Sequence, residues 1–200
     1  MTTLRATLTA LALFAFVTPA IGGEECTCKD IKKTGAGWCS ECKGGAMYGV
    51  KLTSAKLYEA LQGKKVKDVE KMKCAGCKTA ATKGGTCEHC KVAFHDGKSF
   101  HSPVSATLAK GKKVEPDKIK CKGCKSASTK GGGFCTGCDA GIVKGLSFKG
   151  KDDFKAAKNA MTTLTKAAKT VSDCEACAVA MVTNGKCAAC KVQFKDGKAA

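Results

Sequence analysis

Sixteen cysteines arranged as closely spaced pairs limit what this chain can fold into. They fall into four sets: Cys26 and Cys28 with Cys39 and Cys42; Cys74 and Cys77 with Cys87 and Cys90; Cys121 and Cys124 with Cys135 and Cys138; Cys174 and Cys177 with Cys187 and Cys190. Nine or ten residues separate the two pairs of each set, enough for a hairpin that sets one pair opposite the other. Two residues inside a pair let both sulfurs turn inward on one tight turn. Four thiolates so placed can close a tetrahedron around one Zn²⁺ ion, about 2.3 Å from each sulfur. A closed set of four thiolates leaves no coordination position for water or substrate, which makes such a site structural.

The second pairs start 48, 48 and 52 residues apart, at Cys39, Cys87, Cys135 and Cys187. The likeness runs beyond the cysteines. Cys87 to Lys98 matches Cys187 to Lys198, including Phe94 with Phe194 and Asp96-Gly97 with Asp196-Gly197, and Gly63-Lys-Lys-Val66 matches Gly111-Lys-Lys-Val114. Self-similarity at such a period indicates a repeat architecture.

Four zinc-ribbon-like units are therefore expected at 23–52, 67–100, 115–149 and 171–200, joined by helical linkers at 53–66, 101–114 and 150–170. The fold class is a small metal-stapled repeat protein of β-hairpin units without a single large core. Each hairpin turns at a glycine, as at Asp96-Gly97. Ser54 and Ser102 are candidate helix caps, and Pro103 suits a first helical position. Asp152 and Asp153 favour a helix start, followed at helical spacing by Phe154, Ala157, Met161, Leu164 and Ala168. Aromatics make up 6% of the chain, too few for a large core, so small units need a staple. Structural zinc supplies on the order of 10–16 kcal/mol per site in peptide systems. Glycines 76, 123 and 137 are expected to relieve the turns inside the pairs, and Phe94, Phe148 and Phe194 to form small cores beside the metals.

Cys121-Lys-Gly-Cys124, ten residues, and Phe134-Cys135-Thr-Gly-Cys138 resemble the short zinc-ribbon modules found in tandem in many proteins. Trp38 before Cys39 keeps the aromatic; Thr86 and Lys186 do not, and Cys26-x-Cys28 is one residue short. The resemblance covers the four cysteine units and leaves the linkers unmatched. It implies zinc binding and a β-hairpin ribbon, and no particular activity.

Residues 1–22 have the form of a secretory signal: Arg5, an apolar run from Ala6 to Val17, then small residues with cleavage sites after Ala20 or Gly22. The run is shorter than the roughly 20 residues needed to cross a bilayer. The expectation is an exported protein, periplasmic or extracellular, with no transmembrane segment once the signal is removed. In such a compartment the cysteines have a second possible fate as eight disulfides. The regular pairs of pairs favour metal.

The formal net charge is +18, and Arg5 is the only arginine. Lysine lacks the planar fork that reads guanine or phosphate in two-point fashion, which argues against specific nucleic-acid recognition. The lysine surface suits an unidentified protein or an acidic polymer as partner. No catalytic grouping stands out. Trp38-Cys39-Ser-Glu-Cys42-Lys43 is similar to the thioredoxin active-site hexapeptide, but that chemistry needs a helix beginning at the first cysteine. His89, His95 and His101 are candidates for an accessory site. The reading is an exported, non-enzymatic zinc-binding scaffold or binding module. Metal buffering or delivery is the first alternative, and a disulfide-stapled or thiol-exchanging protein the second.

Overall fold

The computed structural model describes residue 31 and residues 34–200. The signal at 1–22 and the pair Cys26 and Cys28 lie outside the described residues. The described chain is a mixed α/β structure of small antiparallel sheets interleaved with helices. Strands β1 (Gly37–Cys39), β2 (Gly44–Met47) and β3 (Val50–Leu52) form a three-stranded sheet. Helix α1 (Ala55–Leu61) leads to strand β4 (Lys64–Lys65) and helix α2 (Ala75–Lys83). Strands β5 (Gly85–Cys87), β6 (Val92–His95) and β7 (Lys98–Phe100) follow, then helix α3 (Pro103–Ala109) and strand β8 (Lys112–Lys113). The next copy carries helix α4 (Lys122–Thr129) and strands β9 (Gly132–Cys135), β10 (Ala140–Val143) and β11 (Leu146–Lys149). Helices α5 (Lys151–Thr170) and α6 (Glu175–Thr183) precede the last hairpin, β12 (Phe194–Lys195) with β13 (Lys198–Ala199).

The repeat is visible in the backbone. Four hairpins turn on two consecutive residues of positive φ: Tyr48-Gly49, Asp96-Gly97, Lys144-Gly145 and Asp196-Gly197. That is the type I′ turn, whose twist matches the strands it joins. The residue after each second cysteine pair is also left-handed: Lys43, Lys91, Asp139 and Lys191.

The Gly-Lys-Lys-Val segments do more than end a helix. Lys64–Lys65 pairs with β7 and Lys112–Lys113 with β11, so each lysine pair adds an edge strand to the following sheet, in the orders β4-β7-β6-β5 and β8-β11-β10-β9. The glycine ahead of each strand allows a close approach. A Cβ on Gly63 would stand 2.6 Å from Phe100 Cζ, and one on Gly111 2.6 Å from Phe148 Cζ and 2.9 Å from Leu146 Cβ. Phe148 is buried, so its ring has little room to retreat. Gly111→Ala is expected to destabilise the protein by about 1–3 kcal/mol through overpacking. Urea unfolding measures it, and a change within about 0.5 kcal/mol, the ordinary range for an inconsequential surface substitution, would contradict the close approach.

Two caps read from the sequence are present. The Ser54 side chain accepts from Leu57 N–H at 3.0 Å, and the Ser102 side chain from Ser105 N–H at 3.1 Å. Buried side chains form two groups rather than one continuous core. The larger draws on α1, α3, α5 and α6, with Val143 and Phe148 from the third unit and Phe194 from the fourth. On α5 the buried positions are Ala157, Ala160, Met161, Leu164 and Ala167, while Phe154 and Ala168 are half-buried. The smaller group is Ala80, Cys87, Val92 and Phe94 of the second unit.

One sequence expectation is corrected. In the three sets that are fully described, the residues between the two cysteine pairs do not make a hairpin. Cys74, Cys121 and Cys174 each stand at the N-cap of a helix, and the second cysteine of the pair lies in its first turn. The units therefore differ from a β-hairpin ribbon: the first pair is carried by a helix and the second by the turn between two strands.

Candidate metal centres

Twelve cysteines meet in three groups of four: Cys74, Cys77, Cys87 and Cys90; Cys121, Cys124, Cys135 and Cys138; Cys174, Cys177, Cys187 and Cys190. Within each group all sulfurs lie within 4.8 Å of one another. The helix and the hairpin achieve this together. The helix N-terminus offers two sulfurs from one turn, and the strand that follows the helix returns the third cysteine beside the first. Cys74–Cys87, Cys121–Cys135 and Cys174–Cys187 are each separated by 3.7 Å between sulfurs. Cys174–Cys190 also stands at 3.7 Å. Four sulfurs placed at the zinc–thiolate bond length in a tetrahedron stand about 3.8 Å apart. The groups therefore have the size and donor set of a tetrahedral thiolate metal site.

Backbone N–H groups support the sulfurs. Cys90 N–H donates to Cys87 Sγ at 3.5 Å, Cys177 N–H to Cys174 Sγ at 3.4 Å and Cys190 N–H to Cys187 Sγ at 3.3 Å. Donors aimed at sulfur favour the thiolate, the form that binds metal. The Cys77 N–H holds the Cys74 thiol down to about 6, and the Cys124 N–H holds Cys121 to about 6. In the fourth unit the Cys190 N–H lowers Cys187 to about 7. Desolvation pushes Cys77 and Cys124 up to about 12, and the negative charge of the neighbouring Cys74 or Cys121 thiolate adds repulsion to it. A bound dication removes that repulsion.

Glycine has a specific place at two sites. A Cβ on Gly76 would lie 2.9 Å from Cys87 Sγ, and one on Gly123 2.8 Å from Cys135 Sγ. The fourth unit carries Ala176 at this position, with the preceding Cys174 at φ −158 instead of −90 or −74. Gly137, also expected to relieve a turn, has nothing within 4 Å of its Cβ position, so no steric need explains it.

The three sites sit differently in the fold. In each, the third cysteine (Cys87, Cys135 or Cys187) is buried and the fourth (Cys90, Cys138 or Cys190) is exposed. Cys177 and Cys187 belong to the large core, whereas Cys87 belongs to the small one. Glu175, inside the Cys174–Cys177 pair, accepts from Ser54 Oγ at 2.7 Å and pairs with Lys56 at 2.9 Å. Those contacts hold its carboxyl below the usual range, the hydrogen bond from Lys56 contributing most and that from Ser54 next. The fourth site is thus tied to helix α1.

In the first unit, Cys39 and Cys42 have sulfurs 3.1 Å apart, and Cys42 N–H donates to Cys39 Sγ at 3.5 Å. Strand β2 follows this pair, so Cys39 does not begin a helix as a thioredoxin cysteine does. Trp38 packs against Tyr58 of α1 at 5.8 Å, and Phe134, at the equivalent position, against Phe154 of α5 at 5.6 Å. The aromatic before the second pair therefore docks the hairpin on the next helix. The histidines do not come together: His89 Nδ1 lies 3.6 Å from Cys90 Sγ, His95 Nε2 is 3.3 Å from Asp96, and His101 is exposed. No described helix is long and apolar enough to cross a membrane. Comparisons with protein-family models, with curated proteins and with solved structures give no match.

Proposed function

We propose that this is an exported, non-enzymatic zinc protein whose Cys₄ sites staple a tandem array of small units into a scaffold or binding module. The observation that carries the reading is the closed set of four sulfurs at Cys174, Cys177, Cys187 and Cys190, with 3.7 Å separations from Cys174 to Cys187 and Cys190, two of whose members, Cys177 and Cys187, belong to the main core. A metal there would neutralise crowded thiolates and hold helix α6 against the last hairpin. It would offer no open coordination position, so the chemistry supplied is structural. A fourth site is assigned to Cys26, Cys28, Cys39 and Cys42. Its support is the type I′ turn at Tyr48-Gly49 and the left-handed Lys43, which repeat the backbone of the other units. The apolar run before Val17 supports export, and the lysine-rich surface supports an unidentified protein or an acidic polymer as partner.

Native mass spectrometry of the exported protein tests the reading. Four zinc ions and loss of residues up to Ala20 or Gly22 are expected. A metal-free mass lower by sixteen hydrogens would replace it with eight disulfides. One observation favours metal buffering as a second reading: the fourth cysteine of each described site is exposed to an incoming chelator. Zinc lost to a competing chelator within minutes, with circular dichroism unchanged, would select buffering over stapling.

A further inference from the structure

A cavity of about 1110 Å³ opens between the second and fourth cysteine units. Its two sides repeat each other. Equivalent residues of these units differ by 100 in number, and the lining pairs Lys83 with Thr183, Gly84 with Asn184, Ala93 with Gln193, Phe94 with Phe194 and His95 with Lys195. Two repeats thus turn the same face toward one space, the arrangement that an isologous dimer makes between chains. Helix α3 supplies a further wall through Ala106 and Lys110.

The floor is apolar. Phe94, Phe100, Phe194 and Ala106 line it and are otherwise buried. The rim is cationic. Lys83 stands on the second unit, Lys195 on the fourth and Lys110 at the end of α3, and no aspartate or glutamate is among the lining residues. Two other basic lining residues have acidic neighbours: Lys91 pairs with Glu88 at 3.0 Å and His95 with Asp96 at 3.3 Å. Lys83, Lys110 and Lys195 are exposed and take part in no ion pair among the described residues.

We propose that this cavity binds an organic anion with an apolar body, of the class of medium-chain carboxylates. The volume is that of a small-molecule site, and the combination of an apolar floor with a few polar groups is what such sites present. The body releases water from the phenylalanine faces, while the head finds ammonium groups on either side. Lysines hold such a head as point charges, without the fixed two-point geometry that arginine imposes. Cys90 of the second sulfur group stands on one wall of the cavity, so the metal-loaded protein is the form in which the site is complete.

Titration of the metal-loaded, ¹⁵N-labelled protein with dodecanoate, below its micellar concentration, tests the proposal by NMR. Saturable shifts are expected at residues 93–95, 106–110 and 193–195. The exposed pair K110E with K195E is expected to weaken dodecanoate binding roughly tenfold or more, as reversed charges at a recognition surface do. Dodecanol, with the same chain and no charge, is expected to bind at least about tenfold more weakly than dodecanoate, a difference of roughly 1.4 kcal/mol. Equal binding of dodecanol, unchanged affinity in the double variant, or absence of saturable shifts at these three segments would each overturn it.

Discussion

Replacing Cys187 with serine is expected to remove one metal ion per chain and to lower the melting temperature of the helical core by roughly 10–20 °C. Cys187 has no exposed surface, stands 3.7 Å from Cys174 through sulfur and belongs to the same buried group as Leu164, Met181 and Phe194. Serine there has two effects. It removes a thiolate that a closed site cannot replace, and it leaves a hydroxyl in an apolar place. Loss of a structural metal belongs to the small class of changes that exceed about 4–5 kcal/mol. For a chain of this size each kcal/mol moves the midpoint by roughly 2–4 °C. Cys90→Ser is the control: Cys90 is exposed and its site adjoins only the smaller buried group. It should lose one metal ion while the helix signal from α5 and α6 melts close to the wild-type temperature. Metal content by elemental analysis and melting by circular dichroism read both variants. A wild-type melt for Cys187→Ser would show that the site does not hold the core.

Much of this was legible before the structure, for identifiable reasons. Ser102 with Pro103 announces α3 because a hydroxyl and a residue without an N–H both suit a helix start. Asp96-Gly97 announces a hairpin because both residues tolerate positive φ. Other features were hidden. Helix α2 buries only Ala80, so it leaves no apolar stripe to read, and its first turn looks like a metal-binding knuckle. Lys64–Lys65 and Lys112–Lys113 are edge strands of two residues, too short and too polar to show a period of two. The match between Gly63-Lys-Lys-Val66 and Gly111-Lys-Lys-Val114 contained the signal, since Val66 and Val114 N–H groups reach Gly97 and Gly145 carbonyls at 2.9 Å in equivalent turns. The cavity between the second and fourth units depends on how repeats dock, which no local pattern encodes.

The docking itself rests on particular polar contacts. Ser102 Oγ, fully buried, donates to Val182 carbonyl at 2.7 Å and so joins the start of α3 to the end of α6. Ser105 Oγ, also fully buried, donates to the Leu61 carbonyl at 2.6 Å and joins α3 to the end of α1. Each carbonyl lies at or near a helix C-terminus, where intrahelical donors run out. The helices read as separate linkers in the sequence are thus fastened to one another. Coupling among units is therefore expected to pass through α3, and the sulfur sites hold units that are already in contact.

The large core provides the second test of that division of labour. Leu164→Ala is expected to destabilise the protein by about 2–5 kcal/mol while leaving the metal count unchanged. Leu164 is fully buried on α5, the 20-residue helix that packs against α3, α6, β3, β10 and β11. The loss combines the transfer of the side chain with a cavity that rigid neighbours only partly fill. Against a total stability of roughly 5–15 kcal/mol this is a large fraction, a fall in melting temperature of roughly 5–20 °C. The thiolates lie in turns at helix starts and strand ends, which Leu164 does not form, so metal content should survive a loss of stability short of unfolding. Chelation would then act on the variant more severely than on wild type, because Leu164 and the cysteines Cys177 and Cys187 of the fourth site share one buried group. Loss of metal from folded Leu164→Ala, measured by elemental analysis at a temperature well below its melt, would show instead that core packing shapes the sulfur sites directly.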